Sequence, residues 1–146
     1  MKLTSFTDYS LRVLLYLATD PGRRVTVAEV AQAFSISENH LTKVVHLLGR
    51  QGWIETVRGK GGGMRLAHDP KDIVVGRVVR DTEGAAQPAE CFLEDGGQCV
   101  ISGACRLQGV LGEAVKAFYA VLDGYTLADI SRNRHTLARV LFAKAA

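Results

Sequence analysis

Two short amphipathic segments separated by a three-residue break limit most strongly what this chain can fold into. The first segment, TVAEVAQAF, opens with Thr26 and Glu29 at the spacing of a capping box, which predicts a helix that starts at Thr26. Residues 35–37 break the pattern, and Ser37 can cap the next segment, ENHLTKVVHLLGR. That segment repeats apolar side chains at i, i+3, i+4 and i+7, namely Leu41, Val44, Val45 and Leu48. Helix, tight turn and helix together indicate a helix-turn-helix.

The outer face of the predicted second helix is polar and basic, as a helix that lies against DNA requires. The side chains of this segment that we predict to contact DNA are Ser37, Asn39, His40, Thr42, Lys43, His46 and Arg50. The N-terminal part of a recognition helix enters the major groove, so the candidates for base contacts are Asn39, His40, Thr42, Lys43 and His46. Of these, His40, Lys43 and His46 fit phosphate contacts equally well. An ordinary solvated helix face is the alternative interpretation.

A glycine-rich basic segment follows this helix directly. The run WIETV at 53–57, the stretch RGKGGG and the run MRLA predict two short strands joined by a turn, that is, a hairpin or wing. Glycines let the backbone of such a turn approach DNA closely, and Arg58, Lys60 and Arg65 can meet phosphates. Residues 1–80 are therefore predicted to form a winged helix-turn-helix domain. The net charge of +3 is too small to argue for nucleic acid by itself.

Helical patterns fill most of the remaining chain, so the predicted fold class is mainly α with a small β-hairpin. Residues 7–19 form an amphipathic pattern for which Thr7 or Asp8 is the expected N-cap. Asp69-Pro70 has the form of a helix start, with the cap followed by proline at the first helical position. We expect one helix, rich in valine, to continue from there.

A longer helix is predicted over residues 105–122, and its few charged residues are Arg106, Glu113 and Lys116. More than one of its faces must be buried, and so small a chain has little to cover a second face except another copy of itself. We therefore expect a homodimer, with residues 105–146 forming the dimerisation helix and a helical tail whose role the sequence leaves open. Gly124 is the expected C′ residue of the long helix, and Thr126 is expected to cap a short one.

Length and composition indicate one domain, or one domain with an appendage. The chain has 146 residues, of which 47% are hydrophobic and 23% charged, enough to bury a core. No apolar run approaches the ~18–20 residues of a membrane span. Asp8 and Arg12 interrupt the apolar start, which argues against a secretion signal. We expect a cytoplasmic protein without a membrane partner.

All three cysteines lie in a glycine-punctuated loop, predicted over 81–106, with the spacing C-x7-C-x5-C. Cytoplasmic thiols stay reduced, and Zn²⁺ and iron–sulfur clusters prefer sulfur ligands. Simple burial of the three is the alternative, but Cys91, Cys99 and Cys105 share a polar loop rather than an apolar stripe. The possible sources of a fourth ligand are Glu90, Glu94 or Asp95 nearby, a group elsewhere in the dimer, or an exogenous molecule.

The segment FTDYSLRVLLYLA, the helix-turn-helix, VRGKGGGMRLA, the Asp-Pro helix start and the three late cysteines together resemble the Rrf2 family of winged-helix iron–sulfur transcriptional repressors. The resemblance covers about residues 1–125. Within the family the chain is more similar to the nitric-oxide-sensing repressors than to the iron–sulfur biogenesis regulators, which carry a ligating histidine at the place of Gln108. The resemblance implies a [4Fe–4S] cluster, or alternatively [2Fe–2S], held by Cys91, Cys99, Cys105 and Asp8 of the partner subunit.

The resemblance also implies a function. A homodimer would bind palindromic double-stranded operator DNA of nitric-oxide-detoxification genes while its cluster is intact, and release it when nitric oxide damages the cluster. An enzyme is not expected, because no acid–base constellation accompanies the loop. Two alternatives remain: a general iron–sulfur or redox-state sensor of the same family, and a zinc-binding winged-helix regulator.

Overall fold

The computed structural model describes residues 2–84, 87–93 and 97–143 and confirms the predicted fold class. Its helices and strands, in chain order, are α1 (Ser5–Thr19), α2 (Val27–Phe34), α3 (Glu38–Arg50), β1 (Ile54–Val57), β2 (Gly63–Leu66), α4 (Val75–Glu83), α5 (Arg106–Asp123), α6 (Leu127–Ile130) and α7 (Arg134–Ala143). Single 3₁₀ turns lie at Pro70–Asp72, Glu90–Phe92 and Ser102–Ala104. Among the described residues, none of the helices combines the length and hydropathy needed to span a lipid bilayer.

Helix α1 is the centre of the core. It contacts α3, α4, α6, α7 and β2, and Val13, Leu14 and Leu17 are fully buried. The helix begins earlier than predicted, because Thr4 is its N-cap and the Thr4 hydroxyl accepts a hydrogen bond from the Thr7 backbone N–H at 3.2 Å. The expectation that Thr7 or Asp8 caps this helix is therefore wrong. Thr4 is extended and supplies the capping oxygen almost one turn sooner.

The helix-turn-helix forms as predicted. Thr26 and Glu29 make the full capping box, with the Glu29 carboxylate 2.7 Å from the Thr26 backbone nitrogen. The α2 helix ends at Ser35, whose positive φ of 55° turns the chain into α3. Ser37 stands at the N-cap position of α3 but makes no side-chain capping bond, so the prediction that it caps holds for its position only. The predicted apolar stripe of α3 is buried against α1 and α2.

The wing is an antiparallel hairpin in which Ile54 pairs with Leu66 and Val57 with Gly63. It is fastened to the α1–α2 loop, because Val25 and Met64 exchange two backbone hydrogen bonds of 3.0 and 2.7 Å. This approach requires glycine at position 63, where φ is +143° and a Cβ atom would lie 2.8 Å from the Val25 carbonyl oxygen.

The prediction of one helix starting at Asp69-Pro70 is wrong. Asp69 caps only the turn Pro70–Asp72, the chain then becomes extended, and α4 begins at Val75. Hydrogen bonds from the Val75 N–H to the Tyr125 carbonyl (2.9 Å) and from the Leu127 N–H to the Ile73 carbonyl (2.8 Å) hold this extended segment. Tertiary pairing with the start of α6 therefore overrides the local helix signal.

The long predicted helix is α5, and the described part of the C-terminal tail folds back onto the winged domain. Gly124 has φ −77°, so it ends α5 in a right-handed conformation and not as the predicted left-handed C′ residue. Thr126 caps α6, as predicted. Leu127 and Leu141 join the core around α1, and the Phe142 ring meets the Tyr16 ring edge-on at 5.4 Å between centroids.

Candidate DNA-binding surface and cysteine loop

Packing of the apolar stripe of α3 against α1 and α2 turns its polar face outward. Every residue of this segment that the sequence marked as a DNA contact is exposed: Ser37, Asn39, His40, Thr42, Lys43, His46 and Arg50. The Thr42 hydroxyl donates to the Glu38 carbonyl at 2.8 Å, which leaves its oxygen able to accept a bond from outside. The surface thus offers donors and acceptors along one exposed helix face.

A cleft of about 530 Å³ separates α3 from the wing. Buried Val45, Ile54 and Met64 line it, and His46 and Arg58 also face it. The recognition helix and the wing therefore present one continuous concave surface with basic side chains on both sides.

The charges of the wing differ in how freely they can meet phosphates. Arg65 is bound to Glu55 of the opposite strand, with Nε and Nη2 2.9 and 2.8 Å from one carboxylate oxygen. Arg58 and Lys60 are exposed, and neither has an ion-pair partner among the described residues. Gly62 keeps the turn tight, because a Cβ there would lie 2.7 Å from the Gly59 carbonyl oxygen. Arg58 and Lys60 are thus the readily available cations of the hairpin.

The three cysteines are free thiols of intermediate burial in the segment between α4 and α5. Glu94 and Asp95, two candidates for the fourth ligand, lie outside the described residues, and Glu90 is exposed. Within the described residues of one chain, no three histidine, cysteine or acidic side chains converge on a common point. Three reduced, partly accessible thiols nevertheless form a donor set whose chemistry fits an iron–sulfur cluster or zinc.

Apolar residues of the same loop are poorly covered within one chain. Val100 is 98% exposed and Ile101 59% exposed. The loop is held at its start by the Gln108 side-chain amide, which donates to the Cys91 carbonyl at 2.9 Å. Gln108 thus connects the first turn of α5 to the start of the cysteine loop.

Asp8 lies in the first turn of α1 and faces an arginine one turn later. Its two carboxylate oxygens accept bonds of 3.0 and 2.8 Å from Nε and Nη2 of Arg12, and both side chains are about two-fifths exposed. The Arg12 guanidinium also lies 5.8 Å from the centroids of the Tyr9 and Phe34 rings. One chain therefore holds Asp8 in an ion pair at the surface.

Helix α4, which directly precedes the cysteine loop, is joined by side chains to three other parts of the molecule. The Trp53 indole N–H at the base of the wing donates to Asp81 at 3.0 Å. The Glu83 carboxylate accepts 2.7 and 3.0 Å bonds from the backbone N–H and hydroxyl of Thr4. Sequence reasoning missed these contacts, because Trp53 and Asp81 are 28 positions apart, and Thr4 and Glu83 are 79 apart, with no local pattern connecting them.

The third connection of α4 reaches α5. Arg80 makes two 2.7 Å bonds to the carboxylate of Asp123 and lies 4.3 Å above the Tyr119 ring. The hydrogen bonds from Arg80 lower the pKa of Asp123. A side chain at Gly76 would overlap Asp123, so the two helices meet closely there.

One face of α5 is left exposed by the described residues of a single chain. Leu107, Val110 and Val121 are 60%, 61% and 61% exposed, and Ala114 and Ala117 lie between them on the same face and are exposed too. This stripe gives α5 the uncovered apolar surface that the sequence predicted.

A helix-turn-helix with an exposed recognition face, followed by a basic wing, defines a winged-helix DNA-binding transcriptional regulator. Residues 3–133 match the model of the Rrf2 family, which is described as an iron-dependent transcriptional regulator. The chain belongs to the Rrf2 family, and the resemblance found in the sequence is confirmed.

Curated relatives match over nearly the whole chain. It is 50% identical to the HTH-type transcriptional regulator NsrR of Bacillus subtilis (strain 168), covering 99% of each protein. It is also 50% identical to NsrR of Geobacillus kaustophilus (strain HTA426), covering 97% of each. The similarity to these relatives supports the assignment of the chain as a transcriptional repressor.

Solved structures give the same fold. T. potens IscR has a TM-score of 0.73 and 27% identity, with 91% of this chain and 88% of that chain covered. CymR, the global cysteine regulator of B. subtilis, has a TM-score of 0.69 and 29% identity, with 91% and 98% covered.

Proposed function

We propose that this protein is a homodimeric repressor that senses nitric oxide through an iron–sulfur cluster and releases operator DNA when the cluster is damaged. One observation carries the proposal: three free thiols lie in the segment between α4, which is bonded to the wing and to α1, and α5, which exposes one apolar face. Its target is the chromosome, so we place its action in the cytoplasm. It acts by binding and has no catalytic role.

The operator-binding surface comprises α3 and the wing. The N-terminal half of α3 enters the major groove, where Asn39, His40, Thr42, Lys43 and His46 are in place to read base edges. Ser37, Arg50, Arg58, Lys60 and Arg65 contact the backbone. Arg65 is the weakest of these contacts, because Glu55 already neutralises it.

The dimer forms through the exposed stripe of α5. An 18-residue helix is about 27 Å long, which is long enough to bury Leu107, Val110 and Val121 against a second copy. Two α3 helices then face two half-sites about 34 Å apart on a palindromic operator. Residues 1–80 act as the DNA-binding part and the segments after them as the sensing and dimerising parts.

The ligands that we propose are Cys91, Cys99 and Cys105 of one chain and the partner subunit's Asp8, for a [4Fe–4S] cluster or alternatively [2Fe–2S]. When bound, such a cluster would supply irons that react with nitric oxide. An oxygen ligand holds iron less firmly than a thiolate does, so Asp8 would be the least firmly bound ligand of the set. Arg12 competes for the same carboxylate.

The residues of α4 carry a change at the cysteine loop to the DNA-binding surface. Asp81 ties α4 to Trp53 at the base of the wing, and Glu83 ties it to the N-cap of α1, one turn before Asp8. Displacement of the loop therefore moves the wing and α1 together. A coupling of only about 1–3 kcal/mol changes operator affinity roughly 5–150-fold.

The test is an anaerobic titration of the iron–sulfur-reconstituted dimer with nitric oxide. We expect the visible cluster absorbance to bleach while a duplex selected in vitro by the protein is released. Trp53 is the sole tryptophan, so its emission reports on the wing in the same titration. A colourless protein whose DNA binding ignores nitric oxide would contradict the proposal.

Asp81 variants separate sensing from coupling. Asp81→Ala removes the acceptor for Trp53, whereas Asp81→Asn keeps an oxygen acceptor and is the matched control. We expect both to take up the cluster, but only Asp81→Ala to bind DNA with reduced dependence on nitric oxide. If DNA binding by both variants depended on nitric oxide as strongly as in the wild type, the signal would not pass through Asp81.

A second candidate function is a general iron–sulfur or redox-state sensor. The family description as iron-dependent favours it, as does the similarity to IscR in fold. If iron removal or oxidation replaced nitric oxide in the titration, this sensor would release DNA at least as readily as it does with nitric oxide.

A further inference from the structure

Arg24, in the loop between α1 and α2, lies beside the tip of the wing. Its neighbour Val25 is buried and exchanges two backbone hydrogen bonds with Met64 of β2, which fixes the loop against the hairpin. The Arg24 guanidinium reaches the carbonyl of Gly61 in the wing turn, with Nη1 3.5 Å from the oxygen. Tertiary structure thus adds an arginine to a turn that already carries Arg58 and Lys60.

The charge of Arg24 is unneutralised. No carboxylate among the described residues lies within ion-pair distance of it, and its side chain is exposed. The adjacent Arg23 contrasts with it, because Glu29 binds Arg23 at 2.7 Å and Asp20 lies 3.9 Å away. The 3.5 Å contact with Gly61 is at the long limit of a hydrogen bond, so the guanidinium remains able to turn toward another acceptor.

We propose that Arg24 is an additional DNA-contacting residue that pairs with a backbone phosphate beside the wing on each half-site. The inference rests on the proposed function and extends its surface to the α1–α2 loop. The turn around Gly61 is nearly free of side chains, so its backbone can come close to the duplex. A guanidinium beside such a turn faces the phosphates next to the turn. The planar guanidinium can donate two hydrogen bonds to one phosphate.

The test is the salt dependence of duplex binding by the full-length reconstituted protein. The probe is a duplex of roughly 30 base pairs, long enough for two half-sites one turn apart, selected by the wild-type protein from random sequences. Each phosphate contact contributes about 0.9 to the slope of log K against log salt. Arg24→Gln should therefore lower the slope by about 1.8 in a dimer. It should weaken binding to the selected duplex and to a scrambled duplex by similar factors, because a phosphate contact does not depend on base sequence.

Arg134→Gln is the matched control, because Arg134 is an exposed arginine in a cleft with Ala18 and Pro70 and not at the wing turn. It should leave the slope unchanged. A wild-type slope in Arg24→Gln would overturn the inference while leaving the proposed repressor intact. Failure of the wild-type protein to select any duplex would instead refute the proposed function.

Arg24→Ala separates a phosphate contact from simple fastening of the wing. Glutamine can still donate to the Gly61 carbonyl, whereas alanine cannot. If Arg24 acts through phosphate, both variants lose the same slope and both unfold at the wild-type temperature. A loss confined to Arg24→Ala would show that the residue only holds the wing, which overturns the inference.

Discussion

Replacing Gly63 by alanine tests whether the wing is held in place by one close backbone approach. The residue has φ +143°, and the added Cβ would lie 2.8 Å from the carbonyl oxygen of Val25. The Val25 carbonyl is backbone and the Cβ position is fixed by the backbone of residue 63, so neither group can move aside as the end of a flexible side chain would. The substitution therefore pushes β2 away from the loop and strains the two hydrogen bonds between Val25 and Met64.

The expected magnitude follows from these two effects. A non-glycine residue held at an unfavourable φ costs roughly 1–3 kcal/mol. Loss of the two backbone hydrogen bonds adds roughly 0.5–1.5 kcal/mol for each. The free energy of unfolding should fall by roughly 2–6 kcal/mol, a large part of the 5–15 kcal/mol that is typical of a whole domain.

Urea unfolding followed by Trp53 fluorescence measures this change. Gly49→Ala in α3 is the matched control, because among the described residues no atom outside its chain neighbours and the adjacent backbone of α3 lies within 4 Å of the new methyl group. Alanine inside a helix is favoured over glycine by roughly 0.5–1 kcal/mol, so the two glycine substitutions should have opposite signs. A free energy of unfolding for Gly63→Ala within about 0.5 kcal/mol of wild type would show that this backbone approach does not hold the wing in place.

Three further predictions concern the dimer, the cysteine loop and acid stability. Val110→Glu places a charge in the apolar stripe of α5 and should yield monomers in analytical ultracentrifugation, whereas Lys116→Glu, on the same helix but off that stripe, should stay dimeric. Cys99→Ala should abolish the visible cluster absorbance after reconstitution, and Ser102→Ala in the same loop should retain it; an unchanged spectrum in Cys99→Ala would exclude that ligand. The pKa of Asp129 is lowered by hydrogen bonds from the Thr126 backbone and hydroxyl. The contribution of the Asp129 carboxylate to stability is therefore complete above a pH of about 4. It is lost as the pH falls through the lowered pKa of the folded state. Asp129→Asn should therefore show a shallower loss of stability on acidification, measured by unfolding at several pH values, and a loss as steep as in wild type would contradict this.

Local patterns were sufficient to predict most helices and the hairpin. The stripe from Leu41 to Leu48 and the capping box of Thr26 depend on residues within two turns of each other, and both formed as predicted. One error arose where distant groups decide the backbone. The start of α4 is set by hydrogen bonds to Tyr125 and Leu127, which lie far along the chain, so the Asp69-Pro70 motif capped only a single turn.

The candidate site divides in the same way. The candidate residues can be recognised from local patterns alone: an exposed polar face on α3, basic side chains on a glycine-rich turn, and three thiols in one loop. Which of these side chains are free to bind a ligand, and how they are connected, depends on the packing of the helices. This packing paired Arg65 with Glu55, placed Arg24 beside the wing with no ion-pair partner among the described residues, and joined Asp81 to Trp53. The physical reason is that periodicity and capping act over a few residues, whereas ion pairs and hydrogen bonds between elements depend on distances that exist only after the helices have packed around α1.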